Sequence, residues 1–446
     1  MKKLFIAVLM VSFCLMSAGI QASHAGEIDL LLQKLVDKGV LSGAEAQQVK
    51  TETQEQVKKE IAQGKYSSLP AWVQNTKLKG DFRLRYQDDY AKEVAKGSGT
   101  TTKQVNKQRA RFRLRLGLES KVNDKILVGV GLATGINTSD AKGLTSADTS
   151  RSTNQTFGSG FGKYPISLDY AFVQYSPTPW ATIVGGKFKN TLWEPGDLIW
   201  DTDINPEGAS LQLTKNINSS TSIFMNTGIL TIQEDTGNTS APTMFTIQPG
   251  VNYKVNDSVN VKGAVSYYQA FNVKGKLLNG AAGTNSGYTV SGSTVSGALL
   301  YDYKDITPAL EISLKDPFKA LGVGVPYLAL FGEYVQNIDT AVKSDNTGYM
   351  LGFKFGAEKV ENFGDWQFRY NYAMLGKDSI LDILPDSDRY GGKTGMRSHE
   401  GMFDFGLGKN TWLGFDYYYG WQIPGNFGTT QSKPAQVFQV DWNMKF

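Results

Sequence analysis

KLKGDFRLRYQ at residues 77–87 and RARFRLRLGLE at residues 109–119 alternate between polar and apolar side chains. Successive side chains of a β-strand point to opposite faces of its sheet, so each stretch predicts a strand with one apolar and one strongly charged face. In a soluble sandwich the charged face contacts water and the apolar face a core. In a barrel that spans a membrane, the apolar face contacts lipid and the charged face a wet lumen. One strand is compatible with both folds.

The same alternation recurs along the chain and separates the two folds. Sixteen candidate strands begin near residues 77, 109, 125, 166, 181, 208, 221, 243, 259, 305, 325, 348, 366, 399, 411 and 436. Their connections alternate between short turns and long polar loops, the long ones near 88–108, 137–165, 191–207, 232–242, 270–304, 337–347, 376–398 and 422–435. This parity is typical of bacterial outer-membrane barrels. The sequence therefore predicts an all-β fold, a transmembrane antiparallel β-barrel of about 16 strands around an aqueous lumen. Residues 285–303 leave room for a further strand.

Composition excludes two other classes of protein. After residue 20 no stretch approaches the ~18 apolar residues that a membrane-spanning helix needs. The net charge of +4 lacks the marked basic excess of a nucleic-acid-binding protein, so no nucleic-acid partner is expected. Aromatic residues gather near strand ends, as interfacial girdles require, and the last strand ends on Phe446.

The first 25 residues predict a cleaved export signal. Lys2 and Lys3 precede an apolar run, and Ser23-His24-Ala25 offers a small-x-small cleavage pattern. The predicted organisation is a signal peptide at 1–25, a helical periplasmic segment with its linker at 26–70, and an outer-membrane barrel at 71–446. Cys14 leaves with the signal, which excludes thiolate metal sites and cysteine nucleophiles. His399 becomes the one mature histidine, and it stands beside Ser398 and Glu400 with no second sequence element that would recruit it as a catalytic base. We therefore expect no enzyme activity, no metal and no cofactor.

Residues 27–64 predict two short helices. Apolar residues recur at helical spacing from Ile28 to Leu35, and Ser42 with Glu45 forms a capping-box signature for a second helix that runs to about Gln63. The second helix carries few apolar residues. The segment is therefore interpreted as a spacer, a small oligomerising coil, or a tether that contacts the cell wall.

Six of the ten arginines lie on the polar faces of the first two strands. Facing lipid, each would cost about 2–4 kcal/mol at the middle of a membrane, so we expect them to line the lumen. We call this set the arginine wall, and we expect Lys187 and Lys189 to extend it. The arginines of the wall are Arg83, Arg85, Arg109, Arg111, Arg113 and Arg115.

The third long connection is acidic and stiffened by Trp and Pro residues. Its carboxylates are Glu194, Asp197, Asp201, Asp203 and Glu207. One hypothesis is that this loop folds into the barrel and opposes the arginine wall, so that a transverse field orients solutes and sets ion preference. The alternative is a solvated extracellular loop, with arginines that merely line a wet lumen.

Several motifs resemble the putative porin family of Gram-negative bacteria. AWV at 71–73 followed by LKGDFRLRY at 78–86 resembles its first strand, and LVDKGVLS at 35–42 resembles its amino-terminal extension. WEPGDLIWDTDINPEG at 193–208 is similar to its third loop, and LPDSDRYGG at 384–392 resembles another of its motifs. The resemblance covers most of the mature chain. It implies an outer-membrane diffusion channel, which in related porins is often a trimer.

The sequence therefore predicts an outer-membrane porin, a passive diffusion channel with a charged constriction. The expected partners are outer-membrane lipid and lipopolysaccharide, small hydrophilic solutes and ions, and two further copies of the chain in a homotrimer. The alternatives are a substrate-selective channel for an anion or a sugar, and a structural tether between the outer membrane and the cell wall.

Overall fold

A computed structural model describes residues 32, 34–38, 40–62, 75–95, 102–135, 150–234, 240–290, 293–423 and 434–446. The predicted signal peptide, the linker and the Ala71-Trp72-Val73 motif lie outside the described residues. The chain divides into two units, residues 1–74 and residues 75–446, which are described separately.

The first unit contains helix α1 (Gly43–Ala62). The predicted capping box is formed at its start. Glu45 Oε2 accepts hydrogen bonds from the backbone N–H and the hydroxyl of Ser42, at 2.8 and 2.7 Å, and the N–H of Glu45 donates to Ser42 Oγ at 3.3 Å. These bonds lower the pKa of the exposed Glu45 carboxyl. Among the described helices, none has the length and apolar character needed to cross a membrane.

The second unit is built of antiparallel strands. In chain order they are β1 (Thr76–Ala95), β2 (Thr102–Lys121), β3 (Ile126–Ala133), β4 (Gln155–Thr156), β5 (Ser167–Thr178), β6 (Ala181–Lys187), β7 (Glu207–Asn216), β8 (Thr221–Thr231), β9 (Thr243–Lys254), β10 (Val259–Phe271), β11 (Gly287–Val290), β12 (Ser293–Leu299), β13 (Lys304–Lys315), β14 (Tyr327–Asn337), β15 (Thr347–Gly356), β16 (Trp366–Leu375), β17 (Met396–Gly408), β18 (Thr411–Gln422) and β19 (Ala435–Lys445). One 3-10 turn, Lys319–Leu321, lies between β13 and β14.

Sixteen of these strands close into a barrel. Each pairs with its neighbours along the chain, and β19 pairs with β1 from Asp81↔Lys445 to Tyr90↔Gln436. The short β4 pairs with β2, and β11 with β12 forms a separate hairpin. Fourteen of the sixteen predicted strand starts lie within two residues of the observed ones. The predicted fold is confirmed.

The other two strands, β2 and β17, begin earlier than predicted, at Thr102 and Met396. Residues 88–108 were expected to form a long loop, but β1 and β2 continue as a hydrogen-bonded hairpin up to the pair Ala95↔Thr102. A hairpin that projects beyond the membrane has water on both faces, so its side chains need not alternate. Residues 287–299 do form strands, but in the hairpin β11–β12 and not in the barrel wall.

Alternation separates the two surfaces of the wall, as β3 illustrates. Val128, Val130 and Leu132 are 40–43% exposed on the outer face. Gly129 and Gly131 point inward. A Cβ at Gly129 would lie 2.4 Å from the Phe172 ring, and a Cβ at Gly131 would lie 2.1 Å from the Tyr170 ring. The glycines therefore leave room for aromatic rings inside the lumen.

Three long loops contribute to an apolar cluster inside the lumen. They are the third loop (188–206), the fifth (272–303, which carries β11 and β12) and the seventh (376–395), whereas the second loop (134–166) contributes none of its described residues to the cluster. The third loop contributes Leu198, Ile199 and Trp200, and the seventh contributes Leu381 and Leu384 to this cluster. The wall contributes residues such as Phe331 on β14 and Met350 on β15. The loops therefore pack on one another and on the inner wall.

Candidate functional site

The third loop leaves β6 and crosses the lumen to the opposite wall. Gln248 on β9 forms hydrogen bonds with both the N–H and the carbonyl of Trp193. Its Oε1 accepts the Trp193 N–H, and its Nε2 donates to the Trp193 carbonyl, each at 2.8 Å. The Lys262 ammonium on β10 lies 4.7 Å from the centroid of the Trp193 ring, at cation–π distance. This end of the loop is therefore fixed on β9 and β10.

The loop tip is fastened further round the wall, on β14 and β15. The Glu333 carboxylate accepts the N–H groups of Gly196 and Leu198, the second at 3.1 Å. Lys354 donates to the carbonyl of Pro195 at 3.1 Å. A Cβ at Gly196 would lie 2.6 Å from the Met350 sulfur, so the tip requires glycine there.

Two of the predicted acidic residues, Glu194 and Asp197, face this far wall. The Tyr268 hydroxyl donates to Glu194 at 3.3 Å. Burial, and then the nearby Glu333 carboxylate, raise the pKa of Glu194. Asp197 pairs with Arg389 of the seventh loop at 2.7 Å. Burial acts to raise the pKa of Asp197, but Arg389 and a second guanidinium outweigh it and lower the pKa.

Two others, Asp201 and Asp203, face the seventh loop and the arginine wall. Asp201 accepts the N–H of Ser387 at 2.9 Å, and burial followed by the Asp203 charge raises its pKa to about 8. Asp203 pairs with Arg115 at 3.2 Å and accepts the N–H of Thr153 at 3.1 Å. Burial opposes ionisation of Asp203, but Arg113, Arg115 and Arg83 outweigh it, so its pKa is lowered.

The arginine wall lies on the inner face of β1 and β2. The register pairs Arg83 with Arg113 and Arg85 with Arg111 across the two strands. Like charges directly opposite one another are destabilising unless carboxylates neutralise them. The side chains are well covered, from 4% exposed at Arg85 to 26% at Arg115.

Most partners of the arginine wall lie outside the third loop. Asp81 pairs with Arg113 and Arg115 at 2.9 and 2.8 Å, and Asp89 pairs with Arg109 at 2.7 Å. Arg85 forms two 2.7 Å hydrogen bonds with Asp441 of β19 and one of 2.8 Å with Asp388 of the seventh loop. Arg83 donates to Asn154 at 2.6 Å, and Arg111 donates to Gln87 at 3.1 Å. Of the five predicted loop carboxylates, Asp203 is the one in an ion pair with the wall among the described residues.

The structure corrects the placement of Lys187 and Glu207. Their charged groups form an ion pair across β6 and β7 at 2.8 Å. Alternation along β6 gives Lys187 the same parity as Ile183, which is exposed on the outer surface, whereas Val184 and Ser210 are buried and point inward. By alternation the two side chains share the outward position of Ile183, and the Lys187 ammonium also donates to the carbonyl of Asn205 in the third loop at 3.1 Å. Lys189 follows the end of β6, where alternation no longer applies, and lies in the lumen beside Asp169 at 3.5 Å.

Two buried arginines of the loops were not singled out from the sequence. Arg151 of the second loop, 1% exposed, donates to the carbonyls of Asp382, Pro385, Gly392 and Gly280 at 2.9–3.1 Å. Arg389 joins Asp197 to Glu400 of β17, at 2.7 and 2.6 Å. The seventh-loop motif contains Arg389, but no local pattern predicts its partners.

Across the described residues, no group of three or more His, Cys, Asp or Glu side chains has an arrangement that could hold a metal ion. His399 lies on β17, where its Nδ1 is 2.6 Å from the Tyr370 hydroxyl and its ring stacks on Trp421. Its neighbours are aromatic.

The family described as "Putative porin" matches residues 40–296 and 299–446 of the chain. A search of curated proteins gives no match. Among solved structures, OprB of Pseudomonas putida at high pH is 13% identical, with a TM-score of 0.50 over 83% of this chain and 94% of that one. DcaP of Acinetobacter baumannii is 11% identical, with a TM-score of 0.44 over 83% and 97%. OmpF of Salmonella typhi is 12% identical, with a TM-score of 0.45 over 83% and 97%.

Proposed function

The chain belongs to the putative porin family, and from this premise we propose that its third loop forms a charged constriction in an outer-membrane channel. The protein is an outer-membrane porin through which small hydrophilic solutes and ions diffuse passively. The surroundings of His399 fit this role, because its ring packs among aromatic rings on β17. The proposal concerns where the channel narrows and which charges act there.

The observation that carries the proposal is the path of the third loop across the lumen. The loop is fixed to β9 through Gln248 and to β14 and β15 through Glu333 and Lys354, and it contacts the arginine wall through Asp203. A loop held at both sides narrows the lumen and brings fixed charges close to any passing solute. Fixed charges at a constriction set ion preference.

The charged groups of the proposed constriction differ in how fully an opposite charge neutralises them. Asp197 is neutralised by Arg389, whereas Arg113 and Arg115 share Asp81 and Asp203. Lys189 is 52% exposed in the lumen, at a marginal 3.5 Å from its carboxylate partner. We therefore propose that Arg113, Arg115 and Lys189 form the basic side of the narrow part.

The test is the reversal potential across a planar bilayer under a salt gradient. Replacing Arg113 and Arg115 by Gln removes two positive charges and leaves Asp81 and Asp203 less compensated, so the reversal potential should shift toward cation preference. Lys125→Gln removes one charge at the exposed short turn before β3 and should leave the potential unchanged. If the double variant kept both its conductance and its reversal potential, the arginine wall would lie outside the narrow part.

A homotrimer is also part of the proposal. The Lys187–Glu207 pair at the loop end of β6 and β7 supports it, because a charged side chain that faces lipid costs up to about 1 kcal/mol near the membrane interface. A second copy of the chain would shield this pair from lipid. Replacing both residues by Ala and measuring the oligomer mass in detergent tests this: an unchanged trimer would leave the pair without a role in assembly.

The proposal has three further parts. They are export through a cleaved signal at 1–25, contact with lipopolysaccharide, and a periplasmic role for residues 27–64. For the last, an assembly coil and a tether to the cell wall remain distinct predictions. Deleting residues 27–68 separates them, because loss of oligomer stability indicates a coil, and loss of envelope integrity with intact channels indicates a tether.

A further inference from the structure

A cavity of about 420 Å³ opens inside the barrel along β13 to β17, on the short-turn side of the third loop. Lys354 and Arg369 line its inner end, next to the loop, and Asp404 on β17 lines it nearer the turns. Glu358 and Lys359 of the β15–β16 turn lie at its rim. Its volume falls within the ~300–1,000 Å³ typical of small-molecule sites.

The inner end of the cavity is cationic. Lys354 and Arg369 are direct neighbours across β15 and β16, and the two charges lie 5.1 and 5.4 Å from the centroid of one ring, that of Phe331. Arg369 is weakly partnered: Asp197 is 3.7 Å away and is already bound by Arg389 at 2.7 Å. The Nε and Nη2 atoms of Arg369 have no hydrogen-bond acceptor among the described residues.

Lys354 is also incompletely neutralised. Its ammonium donates to the Pro195 carbonyl at 3.1 Å, and its carboxylate partner, Glu311, lies at 3.5 Å. Because an ammonium has three donors, Lys354 retains capacity for a further acceptor. Lys354 and Arg369 together therefore offer hydrogen-bond donors and positive charge to a carboxylate.

The other side of the cavity carries an acid without a basic partner. Asp404 forms no ion pair within the described part of the chain, although it lies on the strand next to Arg369. The register pairs Arg369 with Met402 and Gln367 with Asp404, so the two charges are one inward position apart on adjacent strands. A cationic and an anionic group thus face the same cavity without neutralising each other.

We propose that this cavity binds a small zwitterion of the α-amino acid class, with its carboxylate at Lys354 and Arg369 and its ammonium at Asp404. This assignment rests on the proposed function and names a solute for it. The lining contains three basic residues, Lys354, Lys359 and Arg369, and three acidic ones, Glu311, Glu358 and Asp404. An anion would pair with Lys354 and Arg369 at the inner end but would be repelled by Asp404. A neutral sugar would leave the charges of both the basic end and Asp404 without a counter-charge.

The test uses four probes with one carbon skeleton and different charges. These are L-alanine, L-lactate, L-alaninamide and L-lactamide, added at neutral pH to single channels of the full-length protein carrying a potassium chloride current. L-Alanine should reduce the current saturably, with a half-saturating concentration at least about tenfold below those of the other three, since each of them lacks one or both charge-assisted contacts.

Two conservative variants assign the contacts. Arg369→Gln should raise the half-saturating concentration of L-alanine about tenfold and leave that of L-alaninamide little changed. Asp404→Asn should likewise weaken L-alanine and leave L-lactate unchanged or strengthened. Lys125→Gln, outside the cavity, is the matched control. Heat-modifiable gel migration and the potassium chloride current itself show that each variant is a folded barrel.

Two outcomes overturn the assignment. In one, the four probes have equal half-saturating concentrations. In the other, Asp404→Asn leaves the response to L-alanine unchanged. A protein that conducts potassium chloride but gives either result refutes the zwitterion site and leaves the porin function intact. A folded barrel that conducts no ions refutes the proposed function itself.

Discussion

Substitution of Glu333 is the most direct way to weaken the attachment of the third loop to the barrel wall. Its carboxylate accepts the N–H groups of both Gly196 and Leu198 and is 5% exposed. Glu333→Gln preserves size but keeps one oxygen acceptor, and its amide NH₂ group then faces a backbone N–H. The substitution therefore removes one bond and leaves a buried donor unsatisfied.

The expected magnitude follows from these two bonds. A hydrogen bond to a charged group contributes about 1.5–3 kcal/mol, a neutral one about 1 kcal/mol, and a buried unsatisfied donor costs about 1–3 kcal/mol. The docked loop should lose about 2–4 kcal/mol. This corresponds to a roughly 30-fold to 1,000-fold increase in the population of the opened loop.

Two assays measure this opening. Amide hydrogen exchange at residues 193–200 should accelerate by that factor, and the open-channel current should become noisier as the loop leaves the far wall. Glu361→Gln in the exposed turn before β16 is the control. Unchanged exchange at Gly196 and Leu198, together with unchanged current noise, would refute the argument that Glu333 holds the loop.

Three further substitutions probe other parts of the molecule. Arg151→Met removes one donor from each of four carbonyls, so amide exchange should accelerate in the second, fifth and seventh loops together, whereas faster exchange confined to the second loop would contradict a shared role. Because the pKa of Asp203 is lowered, its ion pairs contribute fully above the ordinary value of 3.8 and are lost as the pH falls further. Current noise should therefore rise on acidification below that value, and Asp203→Asn should show the noise already at neutral pH. Gly131→Ala places a Cβ within 2.1 Å of the Tyr170 ring and should lower the temperature at which the barrel loses its folded gel migration, by an overpacking cost of about 1–3 kcal/mol, whereas Gly263→Ala meets its nearest atom at 3.4 Å and should not.

The barrel wall was predictable because the side chains of each strand alternate between positions that face lipid and positions that face water. The starts of β6, β8, β9 and β10 were predicted to the residue, since lipid on one side and water on the other impose a period of two. Beyond the membrane this constraint disappears, which is why the upper part of the β1–β2 hairpin was mistaken for a loop.

The site was predictable in part. Sequence alternation places the arginines on one face, and the same parity holds Asp81 and Asp89 beside them, so these partners could have been read from the strand itself. The contacts of Glu194 and Asp197 could not. They depend on which strands lie across the lumen, through residues such as Tyr268 and Arg389 that are distant in the sequence.

The error at Lys187 has a specific cause. Lys187 and Lys189 are two residues apart and share a face in any continuing strand, but β6 ends at Lys187. The strand pattern stops there, so the two side chains have different partners, Glu207 for Lys187 and Asp169 for Lys189.

The apolar cluster formed by the loops has a consequence for how the channel responds to cold. Hydrophobic stabilisation weakens on cooling, and burial of apolar surface carries a large heat-capacity change. A third loop held by Leu198, Ile199 and Trp200 against the inner wall is therefore bound most weakly at both ends of the temperature range. The conductance of this channel should follow a curved dependence on temperature, with the third loop most firmly seated in the middle of the range.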